Sequence, residues 1–548
     1  MKNNDIEQSK KVPTWCCIFC LLAMTPATGI RAMDWPQAMG PDRNGIVTGE
    51  QIVAPQKAEK PKVLWQANVG HGWAPVVVGG GKVYAFGVFK PGTTPERIAD
   101  ITSTPTFAEV EAAARDTAKA QYHSRDLPGT PPWADDHNGV YRGDAYALCL
   151  DAQTGRQLWA TRLTDWGVVL WGNYRVADRS SPLLACGKLF VHLQTGRLCA
   201  LDASTGKIDW TVNLFDHGMF RWEEKNGNAS SPVHFDDTII VGFHARAGDD
   251  YTKPLYNQDC MAVAGFDAAT GRRKWMTKSP HPGFRTMASD VGYATINGEP
   301  TVLVPGGSGT MGVDPATGKV RWSYTATFES GKDVRFAYPL RMPVAWQDCV
   351  VDGVAMAHDD KPSQTWGVKV ADEKAGLLWA THEFVPVAAE FDKANLLARD
   401  GRLYGFDAHG VWDDPMYDGK IDRRVMRKDG RFQCRDMATG KLLWSSDAFN
   451  TRKPGVEEYY NPQHFIFCGE VMIMTDETGL WFARLTDSGV EVLSRYEQVK
   501  WRRLQLSPPV LSHGRLYVRQ SDASPADGLS PVFGTSGNLT CLNLKTSR

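Results

Sequence analysis

The sequence predicts an all-β fold, an eight-bladed β-propeller of four-stranded antiparallel blades, on three observations. A nine-residue pattern, Asp-x-x-Thr-Gly-x-x-x-Trp, recurs five times. A polar-Pro step precedes an apolar strand run in unit after unit, and the two chain ends carry complementary halves of one further unit. Repeats at a spacing of roughly 50 residues decide the architecture before local propensity does.

The five copies begin at Asp151 (DAQTGRQLW), Asp202 (DASTGKIDW), Asp267 (DAATGRRKW), Asp314 (DPATGKVRW) and Asp436 (DMATGKLLW). Each reads as a β-hairpin. The Asp carboxylate caps the turn, Gly takes the positive-φ position after Thr, and Trp sits on the returning strand. Trp159, Trp210, Trp275 and Trp322 are 51, 65 and 47 residues apart, which accommodates four short strands per unit. The 3.6-residue period of a helical solenoid is absent. Two degenerate copies follow the same reading: DEKAGLLW, one residue short and ending at Trp379, and LTDSGVEVL, with Leu485 at the Asp position and Leu493 at the Trp position. The eighth unit is divided. CLNLKTSR at the C-terminus has Asn543 and Thr546 at the Asp and Thr positions but no returning strand, whereas KVLW ending at Trp65 is a returning strand with no hairpin. Joining the two in one blade closes the ring and removes an open sheet edge.

The strand entries are WAPVVV at Trp73, SSPLL at Ser180, SSPVHF at Ser230, MPVAW at Met342 and SPPVL at Ser507. Proline is accepted at a strand's first residue. The first strand of a propeller blade is innermost, so the residues just ahead of these steps are expected at the channel mouth: His71, Trp73, Arg179, Asn228, Arg285, Arg341, His464 and Gln505. Converging Arg and His side chains favour a carboxylate, a phosphate or an acidic peptide. The competing reading for Arg179 and Arg341 is an ion pair between blades. Trp171, Trp222 and Trp366 fall outside the repeat position and suit either stacking on a planar ligand or burial in the core.

Residues 90–141 interrupt the rhythm with an Ala/Glu-rich stretch over 107–122, read as a helix, and a PGTPPWADDHNG loop. This is an insertion in the first blade. A shorter irregular stretch spans 409–431. Asp135, Asp136 and Asn138 resemble a fragment of a calcium loop that lacks its closing glutamate. Glu223, Glu224, Asn226 and Asn228 offer oxygens to a hard cation, against the alternative of a solvated polar loop.

The first 32 residues read as an export signal: Lys2, Lys10 and Lys11, then the apolar run from Trp15 to Met24, then Ile30-Arg31-Ala32. The expected organisation is a signal peptide over 1–32, a lead-in segment over 33–60 and the propeller over 61–548. The apolar run is too short to span a bilayer. Eight cysteines remain beyond the signal, without CxxC spacing, which argues against zinc and dithiol redox chemistry. Cys149, Cys434 and Cys541 share one phase of the repeat, as small buried side chains would. With 61 basic and 62 acidic residues, bulk charge favours neither nucleic acid nor anionic lipid. No nucleophile elbow, phosphate loop, dinucleotide fingerprint or His-x-x-x-His pair is present, and GGSG at Gly306 reads as a turn.

The repeats, the Ser-Ser-Pro entries and WPQAMGPDRNG at Trp35 together resemble the pyrroloquinoline-quinone-like propeller family, from about Trp35 to the C-terminus. That family includes quinoprotein alcohol dehydrogenases and non-catalytic members, one of them a lipoprotein of the outer-membrane β-barrel assembly machinery, so fold alone does not choose. The dehydrogenases combine a vicinal Cys-Cys disulfide, a calcium ion and a catalytic Asp. The mature chain has no adjacent cysteines, which puts their chemistry in doubt here. The expectation is an exported, monomeric binding scaffold without a cofactor, engaging an envelope protein or a small polar or anionic ligand. A quinone- and calcium-dependent oxidoreductase acting on alcohols or sugars is the alternative.

Overall fold

The computed structural model describes residues 34–56, 61–70, 72, 74–89, 140–170, 180–193, 196–217, 230–246, 259–281, 289–327, 337–339, 342–356, 364–384, 395–407, 431–449, 464–476, 479–496, 507–519 and 539–546. The proposed signal peptide, the 107–122 helix and residues 409–430 of the second irregular stretch lie outside these residues, and Arg431 opens a strand. The insertion of 90–141 falls between the second and third strands of the first blade, Lys82–Phe89 and Val140–Asp151.

Eight antiparallel sheets follow one another along the chain: Val77–Leu170, Leu183–Asn213, Val233–Lys278, Gly292–Thr325, Ala337–Thr381, Leu397–Ser446, Phe465–Tyr496 and Val510–Asn543. The eighth holds only three C-terminal strands and takes its outermost strand, Lys62–Ala67, from the other end of the chain. Lys62 pairs with Asn543, Trp65 with Cys541 and Ala67 with Leu539. The ring is therefore closed by main-chain hydrogen bonds between the termini.

The repeat has a double mechanical role, within a blade and between blades. Within the turn, Asp202 Oδ1 accepts hydrogen bonds from the Thr205 amide (2.8 Å) and hydroxyl (2.8 Å), and the Gly206 amide donates to the Asp202 carbonyl at 2.8 Å. The hydroxyls of Ser204 and Thr205 hold the Asp202 carboxyl down to about 2. Gly206 adopts φ +74°, and a Cβ there would lie 2.5 Å from the Trp159 ring of the preceding blade. Glycine is thus required both by conformation and by the indole pressed against it. Between blades, each Trp reaches forward. Trp65, Trp159, Trp210, Trp275 and Trp379 donate their indole N–H to the carbonyls of Ala152, Ala203, Ala268, Pro315 and Met437, at 2.7–3.2 Å. Opposite each Trp on its own sheet stands a small residue, Cys149, Ala200, Gly265, Gly312, Gly367, Cys434 or Cys541. Burial pushes the thiols of Cys149 and Cys541 up to about 12, so they are packing groups rather than nucleophiles.

The two degenerate hairpins align differently from their sequence reading. In blade five the ladder continues to Ala371↔Lys374, and the tip is the two-residue turn Asp372–Glu373, both at positive φ. The bulge phase places Lys369, not Asp372, where other blades have the turn Asp. In blade seven the same phase puts Arg484 at the Asp position and Ser494 opposite Phe482, where other blades have Trp. Leu493 is the bulge residue and packs into the core shared with blade eight. In both blades a regular tight hairpin replaces the Asp-capped loop, because period-two alternation carries on into the tip.

The lead-in runs along the axis. Trp35 and Val78 exchange two main-chain hydrogen bonds of 2.8 Å at the inner edge of blade one, and Leu184 of blade two donates to the Pro36 carbonyl. Ile46–Val47 then adds a parallel strand to the inner edge of blade seven, and Ile52–Val53 pairs with Lys545–Thr546.

Candidate functional site

In an up-and-down four-stranded blade, the turns joining strands one and two and strands three and four lie on one face. The remaining loops lie on the other. The lead-in belongs to the first face: Asp34 Oδ2 accepts from the Gly80 amide, Asp34 Oδ1 lies 3.1 Å from His513 Nε2, and Glu50 Oε2 accepts from the Gly514 amide at 2.7 Å. All three partners stand in or beside the first turn of blades one or eight. The second face carries the predicted channel mouth.

Of the residues expected at that mouth, His464 is described. It is fully buried ahead of Phe465 on the inner strand of blade seven, and its carbonyl accepts from the Thr475 amide at 3.0 Å. His71, Trp73, Arg179, Asn228, Arg285, Arg341 and Gln505 lie outside the described residues, as do the weak cation candidates Glu223 and Asn226. Trp366 is fully buried and belongs to the core of blades four and five.

The steps that follow those positions can be described, and they join blade to blade. Ser180 Oγ donates to the Ser230 carbonyl at 3.2 Å, and the Ser181 amide donates to Ser231 Oγ at 3.0 Å. One blade further, the Val291 amide donates to Ser230 Oγ and the Ser231 amide to Asp290 Oδ1 at 2.6 Å. His192 places Nδ1 2.9 Å from the Ser230 carbonyl, so the proton resides on Nδ1. Full burial lowers its pKa to about 4. The ring is neutral and holds the second blade to the third.

Arg43, from the RNG of the lead-in, lies beneath these steps. It is 2% exposed, and its guanidinium donates to the carbonyls of Val291 (3.0 Å), Pro232 (3.2 Å) and Ser231 (3.0 Å). A planar five-donor group is suited to three convergent carbonyls. Arg519 does the same between blades eight and one, donating to the carbonyls of Ala74, Phe86 and Gly70 at 2.7–3.0 Å. The described groups at these steps are thus guanidinium groups, serine hydroxyls, the His192 imidazole, the Asp290 carboxylate and main-chain carbonyls. They brace blade against blade. Sequence reasoning did not assign Arg43 or Asp290 a role, since neither repeats. The offset of Asp290 from Val291, matching Ser231 and Pro232, was the available signal.

Of the eight described cysteines, seven are buried. No group of three or more His, Cys, Asp or Glu suited to a metal ion occurs among the described residues.

The family model described as outer membrane protein assembly factor BamB, of the PQQ-type repeat, matches residues 49–249 and 254–410. Quinohemoprotein alcohol dehydrogenase of Comamonas testosteroni is 30% identical over 156 residues, 28% of this chain and 20% of that protein. Polyvinylalcohol dehydrogenase of a Pseudomonas species is 28% identical over 160 residues, 24% of each chain. The matches thus span a quarter or less of these relatives' length. The crystal structure of the Comamonas testosteroni enzyme superposes with a TM-score of 0.55 at 15% identity, covering 95% of this chain and 82% of that one. A europium-containing methanol dehydrogenase gives 0.51 at 13%, covering 94% and 98%. These structures share the propeller fold. The chain belongs to the PQQ-repeat family described by the outer membrane protein assembly factor BamB.

Proposed function

We propose that the protein is an exported binding scaffold of the cell envelope that works without a quinone, presenting the loop-bearing face to an envelope protein or to a small polar or anionic ligand. One observation carries this reading. The axis is braced from below by the chain's own lead-in, with Arg43 held on three carbonyls of blades three and four and the inner serines committed to one another. A propeller whose inner strands are braced this way leaves recognition to its loops. His71, Arg179, Arg285, Arg341 and Gln505 would supply the donors, with Trp73, Asn228 and His464 beside them. Membership in a family named for an assembly factor supports a protein partner.

The second reading, a quinone-dependent oxidoreductase acting on alcohols or sugars, is favoured by the local identity with two alcohol-oxidising relatives. Under it, Glu223 and Asn226 would offer oxygens to calcium.

One titration separates the two. Pyrroloquinoline quinone and calcium are added to the purified protein, and absorbance and dye reduction are recorded with a panel of alcohols. The scaffold reading expects no stoichiometric uptake and no turnover. Stoichiometric uptake with dye reduction overturns it.

A further inference from the structure

The outermost strand of blade three, Arg273–Lys278, is the free edge of its sheet. Its ladder to the neighbouring strand sets Arg273 opposite Phe266, Met276 opposite Ala264 and Lys278 opposite Ala262, with a register shift at Lys274. Those three partners alternate along their own strand and belong to the core shared with blade two, so Arg273, Met276 and Lys278 stand on one side of the edge, the side towards blade two. Met276 packs against that core, and the Arg273 guanidinium lies 3.7 Å from the Met276 sulfur. Trp275 and Thr277 point the other way and are spent on the carbonyls of Pro315 and Gly318 in blade four.

Charge sets this edge apart. Arg273 and Lys278 are exposed, as is Arg272 at the turn before them, and none of the three makes an ion pair among the described residues. Lys274 is held by Asp237 at 2.6 Å. Elsewhere the outer-strand cations are spent, Arg162 on Asp144, Arg321 on Asp314, Arg484 on Glu491 and Arg495 on the Trp481 ring, or stand singly, as Lys62 and Lys374 do. Like charges along an edge strand turn away apolar and basic strands, which guards the sheet against aggregation. They do not turn away an acidic one. Unpaired main-chain groups, two free cations and an apolar residue between them have as their complement an extended segment with acid, apolar and acid side chains at alternate positions.

We propose that this edge receives an extended acidic segment of a partner protein, paired strand to strand with Arg273–Lys278, its two carboxylates on Arg273 and Lys278 and its apolar residue over Met276. The register restricts the ligand. An added strand has period two, and the bulge at Lys274 is what brings Arg273 into step with Met276 and Lys278. Anionic lipid is a poorer match, since the cations follow one strand rather than a broad face and the chain carries 61 basic against 62 acidic residues. The proposal rests on the scaffold reading and gives the rim of the propeller, as distinct from its loop-bearing face, a partner chemistry of its own.

The test uses the full chain and a capped, fluorescein-labelled heptapeptide, Thr-Glu-Thr-Val-Thr-Glu-Thr, followed by anisotropy at low salt. Three probes are compared with it: the Lys counterpart Thr-Lys-Thr-Val-Thr-Lys-Thr, a copy of the acidic peptide N-methylated at every residue, and phosphatidylglycerol vesicles. The acidic peptide is expected to bind at least about tenfold tighter than the basic one, and N-methylation, which keeps the charge and removes the main-chain donors, to cost at least about tenfold. Arg273→Gln and Lys278→Gln each lose roughly threefold, and the Arg273→Glu, Lys278→Glu double variant prefers the basic peptide. Both side chains are exposed, and an unchanged denaturant midpoint reports that each variant keeps the fold. Equal binding of the two peptides, indifference to N-methylation, an acidic preference that survives in the double variant, or capture of vesicles rather than peptide through Arg273 and Lys278 overturns the proposal. Because no quinone takes part in these measurements, their failure leaves the scaffold reading to its own titration.

Discussion

Exchanging Trp for Phe at two equivalent positions should give very different losses. At Trp275 and Trp322 the exchange removes the same ring atoms, worth about 1–2 kcal/mol in burial and packing. At Trp275 it also removes the 3.1 Å bond to the Pro315 carbonyl and leaves that buried carbonyl without its donor, about 1–2 kcal/mol more. At Trp322 it removes a buried donor that has no acceptor among the described residues, a relief of about 1–2 kcal/mol that offsets the lost packing. Trp275→Phe should therefore cost about 2–4 kcal/mol and Trp322→Phe about 0–1. Guanidinium unfolding followed by far-ultraviolet circular dichroism measures both, since fluorescence would change with the indole itself. Midpoints shifted equally at unchanged slope would refute the claim that junctions differ by their indole–carbonyl bonds.

Gly206→Ala and Gly187→Ala impose the same positive φ, +74° and +70°, yet a Cβ at Gly206 meets Trp159 at 2.5 Å and one at Gly187 meets nothing within 4 Å. Denaturant midpoints should show about 1 kcal/mol lost at Gly187 and about 2–4 kcal/mol at Gly206. Arg43→Met, which keeps the stem and deletes the fork, should cost about 3 kcal/mol, and Arg43→Lys should recover little, since one ammonium does not span three carbonyls. Hydrogen exchange should rise in the inner strands of blades three and four and not in blade six. Burial lowers His192 and His281 from 6.5 to about 4. The folded state thus binds fewer protons than the unfolded chain between those values, and stability is complete above pH 6.5 and falls as pH drops towards 4, by up to about 3 kcal/mol for each ring. Urea midpoints from pH 7 to pH 4 should decline, and His192→Gln should flatten the decline.

The fold was legible because its determinants repeat. Asp202, Thr205, Gly206 and Trp210 each solve a local problem, and five copies of one solution are hard to misread. The closure of the ring was legible for the complementary reason, since Trp65 and Asn543 carry defects that fit each other. Phase within the degenerate hairpins was not. DEKAGLLW and LTDSGVEVL keep an Asp near the expected place, but Asp372 and Asp487 sit at or beside a two-residue tip, and only the bulge reveals that Lys369 and Arg484 hold the older position. The role of Arg43 was hidden as well, because a single side chain reaching 188–248 residues along the chain leaves no periodic trace.

The two broken hairpins also show why an orphaned indole alone does not make a site. Trp444, at the junction of blades six and seven, has an indole N–H as unanswered as that of Trp322, for the same reason: the next hairpin is tight. Both junctions have a cation at the Asp position of the following blade, Lys369 beside Asp348 at 3.4 Å and Arg484 paired with Glu491 at 3.0 Å. At Trp322 the surrounding excess is acidic, and the nearby Arg321 guanidinium is turned inward. An unused indole donor thus recurs at two junctions whose surroundings differ in charge, with acidic side chains around Trp322 and the Arg484–Glu491 pair near Trp444.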